Sequence, residues 1–168
     1  DMASEILTRA FHLAESGTPG PVAIVMPEDI FDQKTEINAV GPTAKVSASP
    51  RAKDIDTLVD MISASRRPLV LVGGALLAEA VSEKDVLPKL NTLAETYALP
   101  ICPTHRRPHL FDSKHPNYGG YMGIRVPGPL IDEMKKADLL IALGERLTDT
   151  VSQSYTFPTA PEPQIPLV

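Results

Sequence analysis

The chain has 168 residues, enough to bury roughly 70% of its unfolded surface as one domain and thin for two complete ones. Its net charge of −5 argues against nucleic acid or an anionic membrane as partner, since either needs a clustered basic face; the only basic pairs are Arg66-Arg67, Arg106-Arg107 and Lys135-Lys136. A lone cysteine, Cys102, excludes an internal disulfide, no apolar run approaches the ~18 residues of a membrane helix, and no basic-then-apolar leader opens the chain, so a cytoplasmic protein is expected.

Between Met2 and Ser16, the apolar residues Ile6, Leu7, Ala10, Phe11, Leu13 and Ala14 recur at helical spacing, and Gly17 supplies a stop. Gly20-Pro21 then leads into Val22–Met26, a fully apolar run that reads as a buried strand, closed by Pro27-Glu28-Asp29. A helix feeding a strand here looks like the last unit of a longer domain. Residues 32–50 show neither helical nor strand period and read as an extended linker. From Ala52, the stripe Ile55, Leu58, Val59, Ile62 predicts a helix ending by Arg67.

The run Leu69-Val70-Leu71-Val72 follows, continuous rather than alternating, as expected of a central parallel strand buried on both faces. It runs straight into Gly73-Gly74. A second helical region covers Ala75–Tyr97, with a break expected near Ser82 or Pro88, and Leu99–Cys102 reads as a short strand. A loop of about 20 residues precedes a helix around Leu130, Ile131 and Met134. The strand Leu139–Leu143 comes next, stopped by Gly144, and Ile165–Val168 reads as a final strand. Strands separated by single helices require crossovers, which predicts an α/β, three-layer, Rossmann-like parallel sheet of the DHS-like NAD/FAD-binding type. Its crevice should lie beyond the carboxyl ends of the strands.

Those ends collect Gly73 and Gly74, then Pro103-Thr104-His105-Arg106-Arg107, then Gly144-Glu145-Arg146-Leu147-Thr148-Asp149. Glycine N–H groups and guanidinium forks both donate to phosphate oxygens, so this edge suits a phosphate-bearing ligand. The plainer alternative is a tight turn with arginines paired to carboxylates. Asn117–Gly123 is glycine-rich without being a Walker loop, and could approach a cofactor or another subunit. His105, His109 and His115 with Cys102 lack zinc-site spacing and read as loop histidines, and Cys102 has no evident base to make it a nucleophile.

Five pieces in order resemble the thiamine-pyrophosphate enzymes similar to acetolactate synthase large subunits: Ser16–Val22 running through Pro27–Ile30, Arg67–Gly74, Leu93–Glu95 with Leu99–Ile101, His115–Gly123, and Ala137–Leu147. That resemblance implies a pyrimidine-binding, a central and a pyrophosphate-binding domain in the parent. Residues 1–31 would be the last helix and strand of the first domain, 32–50 the linker, and 51–168 a central domain incomplete at its C-terminus. The family's catalytic glutamate and its Gly-Asp-Gly…Asn metal-diphosphate motif have no counterpart here, so this chain would carry no catalytic or metal-binding residue and be inactive alone.

The implied parent is a lyase or transferase that decarboxylates a 2-oxo acid, using thiamine diphosphate and Mg2+, as a homodimer or tetramer. In acetolactate synthases the central domain holds FAD, and in relatives ADP or nothing. The resemblance carries that role onto Gly73, Gly74, Gly120, Gly123, Arg146 and Asp149. Thr150 stands where flavin-binding members have a second arginine, which removes a donor. A nucleotide-binding module without catalysis (FAD, ADP or NAD) and a purely structural subunit-contact domain are the alternatives.

Overall fold

In the computed structural model, which describes residues 2–17, 19–34, 41, 49–77 and 83–158, Pro68–Val72 is a strand, β1, at the centre of a three-stranded sheet. Both neighbours run parallel to it. Ile101–Pro103 (β2) lies on one side, in the register Val70 to Ile101, and Leu139–Leu143 (β3) on the other, in the register Leu69 to Leu140. The strand order β2-β1-β3 in an open parallel sheet with covering helices is the Rossmann-like α/β architecture. The chain divides into two compact units, Asp1–Ser49 and Pro50–Val168, and the sheet belongs to the second.

Why β1 is central follows from its side chains. Leu69, Val70, Leu71 and Val72 are all buried. Successive residues of a strand point to opposite faces, so an uninterrupted apolar run needs cover on both. Val70 and Val72 join Ile101, Leu139 and Ile141 in one core, covered by Ile62 of helix Ala52–Ala64 (here α2) and by Leu90 and Ala94 of helix Glu83–Tyr97 (α3). Leu69 and Leu71 join Cys102 and Leu140 in the other core, covered by Met134 of helix Gly128–Met134 (α4) and by Val151 and Phe157. Each fully buried Val or Leu contributes roughly 1.5–3 kcal/mol.

Local signals set the helix ends. The helix in the first unit, Ala3–Glu15 (α1), ends at Gly17, whose φ of +59° favours glycine. At the start of α2, Asp54 accepts the Arg51 N–H, while the Arg51 fork returns Nε and Nη2 bonds of 2.9 Å each. α3 runs through Pro88 without breaking there, and the alternative break near Ser82 lies outside the described residues. Asn117 Nδ2 then donates to both the Ala94 and Leu99 carbonyls at 3.2 Å, tying the long loop to the turn between α3 and β2.

Two expected strands differ. Leu99–Cys102 is shifted to Ile101–Pro103, because the Leu99 N–H is spent on the Ala94 carbonyl at the helix end. Val22–Met26 forms no strand: Val25 is 94% exposed, and no described strand in residues 1–49 pairs with it. Apolar sequence alone does not make a strand without a neighbouring backbone to bond. Most of the linker 32–50 and the expected strand Ile165–Val168 lie outside the described residues.

Asp138 locks the entry to the sheet. It sits just before β3 and accepts hydrogen bonds from the Ser65 hydroxyl and, at 2.9 Å each, from the Arg66 and Arg67 N–H groups just before β1. These donors, the Ser65 hydroxyl foremost, hold its carboxyl below the ordinary aspartate range. A lowered folded-state value means the stabilisation is complete above ~3.9 and is lost as pH falls through the folded value. Urea midpoints followed from about pH 5 to pH 2 should therefore fall more steeply for the native chain than for Asp138→Asn.

Candidate functional site

The carboxyl edge of the sheet is where β1, β2 and β3 deliver Gly73-Gly74, Thr104 and Gly144-Glu145. The strands hold these together directly. The Gly73 N–H donates to the Leu143 carbonyl at 3.0 Å, the Ala75 N–H to the Gly144 carbonyl at 3.0 Å, and the Thr104 N–H to the Val72 carbonyl at 3.0 Å. Thr104 is buried, and its hydroxyl bridges the Val72 carbonyl (3.0 Å) and the Glu145 carboxylate.

This arrangement decides what the glycines are for. A Cβ on Gly73 would stand 2.6 Å from Glu145 Cα and closer still to the Gly144 carbonyl oxygen and the Glu145 carboxylate. Gly73 is thus small because the β3 turn presses against it. A Cβ on Gly74 would lie 2.5 Å from Arg107 Nε, so the guanidinium of Arg107 covers that residue. Gly144 has φ +63° and backs onto Leu76, whose Cα would be 2.8 Å from an added Cβ. The two turns interlock.

The remaining predicted site residues are spread along this edge. Tyr118–Met122 runs parallel beside β2, with the Gly119 N–H on the Ile101 carbonyl (2.8 Å) and the Met122 N–H on the Pro103 carbonyl (2.9 Å). Gly120, at φ +110°, packs on Leu130 of α4 rather than facing the crevice. Gly123 lies under the ring of Tyr121, whose hydroxyl accepts the Arg106 N–H at 3.0 Å. Gln153 Nε2 joins the Gly123 carbonyl (3.2 Å) to the Thr150 carbonyl (2.7 Å), and Asp149 Oδ1 accepts the Thr150 N–H at 2.7 Å. Asp149 therefore shapes its own turn. Arg146 is exposed; its carbonyl accepts the Thr148 N–H at 2.6 Å, and its side chain makes no hydrogen bond or ion pair among the described residues.

Cys102 and His115 are both taken up by the packing of the fold. Burial pushes the Cys102 thiol up to about 12, leaving it protonated and inert at neutral pH. His115 accepts the Asn117 N–H at Nδ1 (3.1 Å) and meets Glu95 through Nε2 (3.2 Å), so it anchors the loop. No group of three or more His, Cys, Asp or Glu side chains suited to a metal occurs among the described residues, and no described helix is long and apolar enough to cross a membrane.

A family model, the central domain of thiamine pyrophosphate enzymes, matches residues 55–166, the span that carries all three strands. The chain belongs to this family. Among relatives of this thiamine pyrophosphate enzyme central domain, the acetolactate synthase large subunit of Corynebacterium glutamicum is 29% identical over 154 residues, covering 88% of this chain and 24% of that protein. A Methanocaldococcus jannaschii protein assigned as an acetolactate synthase large subunit is 31% identical over 168 residues, covering 96% and 27%. The chain thus spans about a quarter of the length of the relatives it matches. A crystal structure from Mycobacterium smegmatis, assigned to the thiamin diphosphate-dependent enzymes, superposes with a TM-score of 0.60 at 21% identity over 84% of this chain and 26% of that one, which shows the shared fold.

The sequence places Thr104, Arg107 and Glu145 at the same edge as the glycines of this thiamine pyrophosphate enzyme central domain, but not their packing: these side chains fill the space the glycines leave. The readable signal was Glu145 itself, an acid one residue before Arg146. Thr104→Val removes a buried hydroxyl that lies within hydrogen-bond distance of the Val72 carbonyl and the Glu145 carboxylate, and should cost about 1–3 kcal/mol in urea unfolding. Cys102 should react with an aromatic disulfide reagent only after denaturation. Rapid labelling of the folded chain at neutral pH would show its burial to be wrong.

Proposed function

We propose that this chain is the structural central portion of a thiamine-diphosphate- and Mg2+-dependent 2-oxo acid decarboxylase or carboligase resembling acetolactate synthase, assembled as a homo-oligomer. The observation carrying the structural role is the filled crevice: the Glu145 carboxylate stands against Gly73, held there by Thr104. A diphosphate approaching Gly73 would meet a carboxylate and would have to displace it. On this reading the edge holds neither the FAD nor the ADP that the family resemblance implies, and Gly73, Gly74, Gly120, Gly123 and Asp149 serve the packing of the fold while Arg146 stays exposed.

Thiamine diphosphate, when bound by the parent, supplies the electron sink for decarboxylation. Coverage of about a quarter of the relatives' length supports placing that chemistry elsewhere in the parent. On this reading, residues 50–168 contribute a rigid core and surfaces for the neighbouring domains.

The test is an assay of carbon dioxide release from pyruvate with thiamine diphosphate and Mg2+. The chain alone should release none above blank, whereas the parent polypeptide should release it in a thiamine-diphosphate-dependent manner. The purified parent should also carry no flavin absorbance, and ADP should leave the melting temperature of the chain unchanged. Turnover by the chain alone, or stoichiometric flavin, would overturn the assignment.

A further inference from the structure

At the opposite end of the sheet from Gly73, a cavity of about 490 Å³ opens between the start of β1 and α4. Its apolar wall is Leu69, Leu130 and Met134, of which Leu69 and Met134 are buried, and its polar rim includes Arg66, Arg67 and Glu133. The volume falls within the several-hundred-Å³ range of small-molecule sites, and the mix of apolar wall with a few polar groups is their usual composition.

The charges at the rim are unequally satisfied. Arg67 Nη2 reaches Glu133 Oε2 at 2.9 Å, and the other Glu133 oxygen takes Lys136 Nζ at 2.5 Å. The Asp138 carboxylate is consumed by the Ser65 hydroxyl and the Arg66 and Arg67 backbone N–H groups. Both neighbouring carboxylates are therefore engaged. The Arg66 side chain makes no hydrogen bond or ion pair among the described residues. Arg66, Arg67 and Lys136 set three cations against the two carboxylates of Glu133 and Asp138, a local positive excess in a chain whose net charge is −5.

We infer that this cavity binds a small organic carboxylate, with its apolar body on Leu69, Leu130 and Met134 and its carboxylate on the Arg66 guanidinium. The planar fork of arginine matches a carboxylate's two oxygens, and an exposed, flexible Arg66 can reach over the mouth without disturbing the backbone bond that its N–H makes to Asp138. Glu133 at the rim disfavours a dianion that would sit deeper, so a monoanion with a hydrocarbon body is the fitting class.

The full chain is titrated with 4-methylpentanoate while backbone amide shifts are followed by NMR. Saturable shifts should appear at Leu69, Leu130 and Met134. Arg66→Gln, which leaves the core untouched, should weaken binding about tenfold or more, as should replacing the acid by 4-methylpentan-1-ol. Inorganic phosphate should bind more weakly than the acid. No saturable shift, equal affinity in Arg66→Gln, equal affinity for the alcohol, or phosphate binding as tightly as the acid would each overturn the inference. Amide spectra of the unliganded variant establish that it is folded.

Discussion

β1 is bonded along both edges and buried on both faces, and this double constraint organises residues 50–168. The Val70 N–H donates to Pro100, the Gly73 N–H to Leu143, and the side chains of Leu69–Val72 enter two separate cores. A strand so enclosed cannot shift by one residue without exchanging its two apolar sets between the faces. Its register therefore fixes where the turns at either end of the sheet fall, and those turns carry Thr104 and Glu145 at one end and Asp138 at the other.

At the carboxyl edge the consequence is close packing. Gly73 and Gly144 let two strand-to-loop turns press together, and Glu145, Thr104 and Arg107 occupy the room beside them. At the amino edge the turns diverge: Asp138 pulls the α2–β1 connection down onto β3, while α4 stands off enough to leave a cavity. The two ends thus differ in packing, although the same three strands set both.

Much of this fold is legible in the sequence because its signals are local. Continuous apolar runs identify β1 and β3, and helical stripes identify α2 and α4. Val22–Met26 carries the same signal as β1 yet forms no strand, because a ladder also needs a partner backbone and apolarity does not supply one. The site is legible only halfway. Glycines mark where backbones come close, but whether ligand or protein fills the gap depends on Glu145 meeting Gly73 across the sheet. That contact joins residues distant in sequence, and no period or spacing encodes it. Thr104 is visible at the strand end, but its contacts with Val72 and Glu145 are not, since a lone hydroxyl after a strand reads like any loop residue.

The Asp138 bonds to the Ser65–Arg67 connection have a consequence for how the chain acquires its structure. Ser65 and Asp138 are 73 residues apart, and β1 is flanked on its β3 side only once that later strand exists. During synthesis the most apolar stretch of the chain must wait for its second neighbour while α3, β2 and the long loop are made. Non-local pairings of this kind slow folding and leave unpaired strand edges open to wrong partners. The carboxylate of Asp138, meeting three donors as β3 arrives, closes that interval.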